Sequence, residues 1–202
     1  AALKICTEIA CVAEKELVVF ATPSFAVRET AQKAAPYLGD GTLVVSVSKG
    51  IEKGTSLRLS QIIDEETKGH CRIVALSGPS HAEEVGRHVP TGCVAASLDR
   101  EAAEMVQDAF MNERFRIYSS PDIVGVELAA ALKNVIALCY GVCDGLGYGD
   151  NTRALLMTRG LTETARLGVA MGGKKETFAG LAGVGDLIVT CTSMHSRNHR
   201  AG

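Results

Sequence analysis

The sequence lacks several features that would assign it to a class at once. It has no charge excess: 21 Lys and Arg stand against 23 Asp and Glu, a formal net charge of −2. No bulk attraction to nucleic acid or to an anionic membrane follows. Its seven cysteines include no Cys-x-x-Cys pair. They are scattered through apolar runs, at Cys71, Cys93 and Cys139 for example, which points to free thiols in a reducing compartment. No leader, transit segment or polybasic run is evident, and a cytoplasmic location is expected. No repeat or low-complexity segment is present, which excludes a solenoid. Most telling, no strand is followed by the Gly-x-Gly-x-x-Gly turn of a dinucleotide fold. Gly180, Gly183 and Gly185 imitate it, but no β-rich run precedes them. The chain opens on Ala1-Ala2-Leu3-Lys4 and stops just after a polar run; both ends read as cuts, and an internal fragment is expected.

What is present is an ordinary globular composition, 47% hydrophobic and 22% charged over 202 residues. Residues 3–14 have helical periodicity. Short apolar, β-rich runs then recur at 16–21, 42–47, 72–76, 92–97 and 115–119, the first reading as a strand buried on both faces. Between them lie helical segments: one capped by Ser24 and running to about Tyr37, one opened by Thr55 or Ser56 and running to about Thr67, one near 81–86, and one over 99–112. The alternation predicts a parallel, doubly wound α/β sheet. Beyond residue 120 strand signals vanish. The remainder reads as all-helical, with glycine-rich joints at 145–149, 172–173 and 180–185. A domain boundary near 120 divides residues 1–120 from 121–202.

Ligands of such a sheet sit at the carboxyl ends of its strands, which draws attention to residues 22–25, 48–52 and 77–82. Lys49 stands at a strand end beside Gly50, a glycine that would let backbone approach a ligand. Ser77-Gly78-Pro79-Ser80 offers amides and a hydroxyl to an anion. Taken singly, each is also what an ordinary turn contains.

Residues 121–150 form the longest apolar stretch. From Ile123 to Val142 its only carboxylate or amine side chains are Glu127 and Lys133, so a long buried helix is expected, ended by Gly145 and Gly147. A membrane span is disfavoured: Glu127, Lys133 and Asn134 would lie within it, and a central charge costs roughly 2.5–3.5 kcal/mol. A lysine buried in such a helix loses proton affinity and becomes a general-base candidate, unless it snorkels to the surface. Asp186, between a glycine run and Leu-Ile-Val, is its expected partner. Ser196-Arg197-Asn198 could grip a phosphate or form a solvated loop. Cys191, His195 and His199 are spaced for metal ligation if helical, a rival weakened by Arg197 and Arg200 beside them.

The ordered segments VSVSKGIE, LSGPSHAEEV, LKNVIA, NTRALLMTRGLTE, GVGDLIVTCTS and SRNHR closely resemble bacterial NAD(P)-dependent glycerol-3-phosphate dehydrogenase, from about Val18 to the end. The resemblance implies a Rossmann-type sheet, incomplete at its N-terminus, over 1–120 and a partial helical substrate and catalytic domain over 121–202. It implies NAD or NADP as cofactor, a small phosphorylated substrate, no nucleic-acid partner, no membrane insertion, and a homodimer as the assembly to consider. It implies Lys133 as proton acceptor, with Asp186 and Lys49 as the other catalytic groups. The substrate contacts implied are Lys49, Gly78, Ser80, Lys133, Asp186, Ser196, Arg197 and Asn198; the cofactor contacts are Lys49, Ala82 and Arg197. Ser80 stands where a threonine is commoner. Two alternatives stay open: a β-hydroxyacid dehydrogenase, disfavoured because Lys133 and Asn134 are adjacent rather than one helical turn apart, and a catalytically inactive fragment of the enzyme.

Overall fold

The computed structural model describes residues 4–202. Five strands form one sheet in the order β1-β2-β3-β4-β5: β1 (Leu17–Phe20), β2 (Leu43–Ser46), β3 (Arg72–Ser77), β4 (Thr91–Ala96) and β5 (Phe115–Ser120). Each expected strand is present within about two residues. β2, fully buried, has the continuous apolar sequence that two covered faces demand. β1 is an edge strand instead, with Val19 half-exposed.

The sheet departs from the all-parallel expectation in one pairing. β1, β2 and β3 are mutually parallel, and so are β4 and β5, but β3 and β4 are antiparallel. A parallel return needs a crossover that travels the length of the sheet. Residues 78–90 contain only α3 (Ala82–Val85), a single turn rising ~6 Å, so the chain turns back and pairs antiparallel.

That reversal also sets the layers. A parallel crossover is right-handed almost without exception. α1 (Val27–Ala34) and α2 (Leu59–Glu66) therefore cover one face, over Val18, Phe20 and Val44. α4 (Arg100–Phe110), joining strands that run the other way, covers the opposite face over Val45, Val74, Cys93 and Ala95. Asp99 caps α4 by accepting from the Ala102 amide.

Three local expectations fail. Residues 3–14 yield only a 3₁₀ turn at Ile9–Val12; residues 1–3 lie outside the described residues. Ser24 caps nothing and opens a 3₁₀ turn leading into α1. The helix expected from Thr55 or Ser56 starts at Leu59, because Ser56 is held at φ 60°, outside helical space.

After β5 the chain is helical. α5 (Ile123–Gly145) is a 23-residue helix whose first amides are capped by Asp122. Gly147, at φ +74°, takes the left-handed turn that ends it. Long and apolar enough to cross a membrane by length and composition alone, α5 packs through its buried residues on β3, α6 (Asp150–Ala170) and α8 (Asp186–Thr192). α7 (Lys175–Phe178) and α9 (Arg197–Ala201) complete the described chain. The joint expected at 180–185 is a π-helical turn, Leu181–Gly185, running straight into α8. Gly183 lies so close to the Phe178 backbone that no side chain fits there.

Candidate functional site

Lys133 occupies the middle of α5 and is buried rather than snorkelling. Its Nζ donates to Asp186 Oδ1 at 2.5 Å and to Thr190 Oγ1 at 2.6 Å. Asp186 and Thr190 are four apart on α8, hence on one face. The Thr190 hydroxyl donates to the Asp186 carbonyl at 2.6 Å, leaving a lone pair toward the amine. The π-helical turn presents Asp186 here, and such turns concentrate at functional sites.

A second amine reaches the same carboxylate. Lys49, just beyond β2, donates from Nζ to Asp186 Oδ2 at 2.7 Å and to the Gly78 carbonyl at 3.2 Å. Two ammonium groups thus share one anion. Burial lowers the Lys133 pKa most, the Lys49 charge lowers it further, and Asp186 only partly restores it, leaving it pulled down to about 8. Half of such amines are neutral at a pH where an ordinary lysine is fully charged.

A cleft of about 620 Å³ reaches this trio through Lys49, the one of the three that lines it. The 21–25 turn and Val47, Ser48 and Lys49 form its sheet side; Asn134, Arg197 and Asn198 form its helical side. Asn198 Nδ2 donates to Asn134 Oδ1 at 2.8 Å, tying α9 to α5 one residue beyond Lys133. Arg197 is exposed at the cleft and makes no hydrogen bond or ion pair among the described residues.

The remaining expected site residues divide. Gly78 is in place through its carbonyl, and Ser80 Oγ donates to that same carbonyl at 3.3 Å. Ala82 is exposed at the start of α3. Ser196 is buried off the cleft wall, its Oγ capping α9 by accepting from the His199 amide at 3.2 Å. Gly50 has no room for a side chain: its φ is +154°, and a Cβ there would stand 2.6 Å from that of Ser24. Thr190 and Asn134 received no role from the sequence. Thr190 is legible only once residues 186–192 are known to be one helix, and the glycine run obscured that.

The rival metal arrangement loses its premise, because α8 ends at Thr192 and His195 lies in the following loop. Burial pushes the Cys191 thiol up to about 11. No group of three His, Cys, Asp or Glu side chains is placed to hold a metal among the described residues.

A dinucleotide fits the cleft better. Its volume lies within the ~300–1,000 Å³ range of cofactor sites. On its wall the buried Thr22 hydroxyl, at the carboxyl end of β1, has no partner among the described residues, and Lys49 and Arg197 supply positive charge; Ser46 and Ser77, likewise unpartnered at the ends of β2 and β3, lie off the cleft lining.

Comparison with known proteins agrees with this geometry. Residues 1–103 match the NAD-dependent glycerol-3-phosphate dehydrogenase N-terminus and residues 122–202 the corresponding C-terminus. A Desulfitobacterium hafniense glycerol-3-phosphate dehydrogenase [NAD(P)+] is 62% identical over 189 residues, covering 94% of this chain and 53% of that protein. One from Moorella thermoacetica is 63% identical over 186 residues, covering 92% and 55%. The crystal structure of glycerol-3-phosphate dehydrogenase from Coxiella burnetii superposes with a TM-score of 0.92 at 39% identity, over 97% of this chain and 60% of that one. The chain spans about half the length of the curated relatives it matches.

Proposed function

The chain belongs to the NAD-dependent glycerol-3-phosphate dehydrogenase family, and from that premise we propose that it carries the reacting groups of an oxidoreductase. The reaction is reversible hydride transfer between sn-glycerol 3-phosphate and NAD or NADP, giving dihydroxyacetone phosphate for glycerophospholipid precursor synthesis. The observation that carries this reading is the single carboxylate of Asp186 shared by Lys133 and Lys49, beside a cleft whose far wall presents Arg197.

When bound, the nicotinamide supplies the redox chemistry; the side chains supply proton transfer and placement. For alcohol oxidation, neutral Lys133 takes the proton of the C2 hydroxyl; for ketone reduction, protonated Lys133 returns it. A pKa of about 8 keeps both forms accessible near neutrality. Asp186 and Thr190 fix the amine's direction. Lys49 places positive charge where the C2 oxygen becomes negative. Arg197 and Asn198 hold the phosphate, with Gly78 and Ser80 lining the sheet side of the substrate. Ala82 and Arg197 would hold the cofactor, and the Thr22 hydroxyl on the cleft wall would be available to its polar groups.

Residues 1–120 form the cofactor-side unit and 121–202 the substrate-side unit in this reading. The protein works in the cytoplasm, and a homodimer is the assembly to test by sedimentation. A β-hydroxyacid dehydrogenase is less well supported, since both halves of the chain match the glycerol-3-phosphate dehydrogenase family.

The test follows reduced-nicotinamide absorbance with dihydroxyacetone phosphate in the complete protein. Turnover is expected, and Arg197→Ala should raise KM for dihydroxyacetone phosphate far more than for unphosphorylated dihydroxyacetone. An equal effect on both would remove Arg197 from the phosphate site. A folded protein with no turnover would return the reading to the hydroxyacid or inactive alternatives.

A further inference from the structure

The side chains proposed to grip phosphate sit at the start of α9, and the contacts of α9 with α5 set how they face the cleft. Asn198 is held by Asn134 at one end. At the other, His199 is buried against α5. Its ring stands edge-on to Tyr140, centroids 5.4 Å apart at 87°, and its Nε2 lies 3.2 Å from Asp144 Oδ2. Asp144 is fixed in turn by Arg153 of α6, whose Nη1 donates to Oδ1 at 2.5 Å while Nη2 reaches Asp150 at 2.7 Å. Gly141 leaves no room for a Cβ against the His199 carbonyl, so α9 lies directly on the α5 backbone. Nδ1 of His199 is buried without a partner among the described residues. That fits a ring whose N–H is on Nε2, directed at Asp144.

We propose that His199 is a positioning residue: the Arg153–Asp144–His199 chain locks α9 onto α5 and thereby aims Arg197 and Asn198 at the anionic end of the substrate. The inference rests on the functional reading above. His199 itself touches neither substrate nor cofactor and makes or breaks no bond. Its contribution is angular: with the clamp released, α9 pivots on the Asn198–Asn134 contact and Arg197 swings with it.

The test uses the complete protein with His199→Ala, Asp144→Ala and His199→Gln. The glutamine amide keeps an N–H at similar reach. Both alanine variants should raise KM for dihydroxyacetone phosphate by about tenfold, a modest share of the ~100-fold that a 1 Å misplacement costs. Their kcat should stay within about twofold, the signature of lost ground-state binding. His199→Gln should restore most of the KM. Inorganic phosphate affinity, read by titration calorimetry without turnover, should fall in the alanine variants and recover in His199→Gln. Unchanged KM and phosphate affinity in folded alanine variants would overturn the proposal, as would a fall in kcat and melting temperature at constant KM. A wild type that binds phosphate but turns nothing over would overturn the functional reading, while the phosphate titration still decides the role of His199.

Discussion

Helix α5 buries two charged side chains six residues apart, and they differ in kind. Glu127 is 8% exposed and Lys133 6%, and each has an ion-pair partner, so burial and pairing do not separate them. Their charge balance does. Around Glu127 one anion meets one cation: Arg58 Nη1 donates at 2.6 Å, with the Ser60 amide and hydroxyl at 2.8 and 2.5 Å. Around Lys133 one anion serves two cations. The first arrangement is closed and holds α2 on α5. The second carries a surplus positive charge in a dry place, and shedding a proton relieves it. A buried charge becomes reactive where its neutralisation is left incomplete.

The comparison breaks most visibly by truncating each residue in turn. Lys133→Ala should cut kcat in the nicotinamide assay by ~10²–10⁴-fold, as loss of a general acid–base group does. Glu127→Ala should leave kcat within a few-fold at temperatures well below melting but cost about 3–5 kcal/mol of stability, since Arg58 is left without its anion. If the losses fall the other way round, the division of roles is wrong.

The surplus charge also predicts a pH dependence of folding. The pKa of Lys133 is about 8 in the folded protein against 10.5 ordinarily. Between those values the unfolded chain binds more protons, so stability rises with pH. The cost of burying this amine is complete below pH 8 and gone above 10.5. Denaturation of wild type against Lys133→Met across that window should show a relative gain of about 3 kcal/mol for wild type. A flat difference would mean that the amine stays charged.

The smallest effect is the sharpest. Asp186→Asn removes the group that raises the Lys133 pKa, and Lys49→Met removes one that lowers it. The limb of the pH–rate profile for alcohol oxidation should move acidward in the first variant and alkaline in the second, whatever the loss of rate. Movement in the same direction would show that the limb belongs to another group.

Much of this arrangement was legible in the sequence, for identifiable reasons. The strands were marked by β-branched runs between turns, and Lys133 by its isolation in apolar sequence. Asp186 followed as an acid set against apolar sequence and so in need of a partner. Lys49 was visible at a strand end, but its share in Asp186, 137 residues away, leaves no local trace. Nor does the direction of β4: strand composition is the same either way round, and only the shortness of the 78–90 link bears on it. Residues 4–14 had helical periodicity with too little to pack against, and most of them are exposed; periodicity without burial did not suffice.

The reversed strand has a consequence of measurement. β5 ends at the edge of the sheet where β1, β2 and β3 begin, so α5 starts there and runs back alongside them. Lys133 stands ten residues into the helix, about 15 Å along its axis at 1.5 Å per residue. Strands of four to six residues span ~13–20 Å, so the helix acts as a ruler laid against the sheet, with its amine at the mark where β2 delivers Lys49. Had β4 run parallel, the same ruler would start at the cleft and carry Lys133 some 15 Å out the other side. An insertion or deletion of one residue between Ile123 and Lys133 would rotate that mark by about 100°, which makes the length of this segment as binding a requirement as any side chain on it.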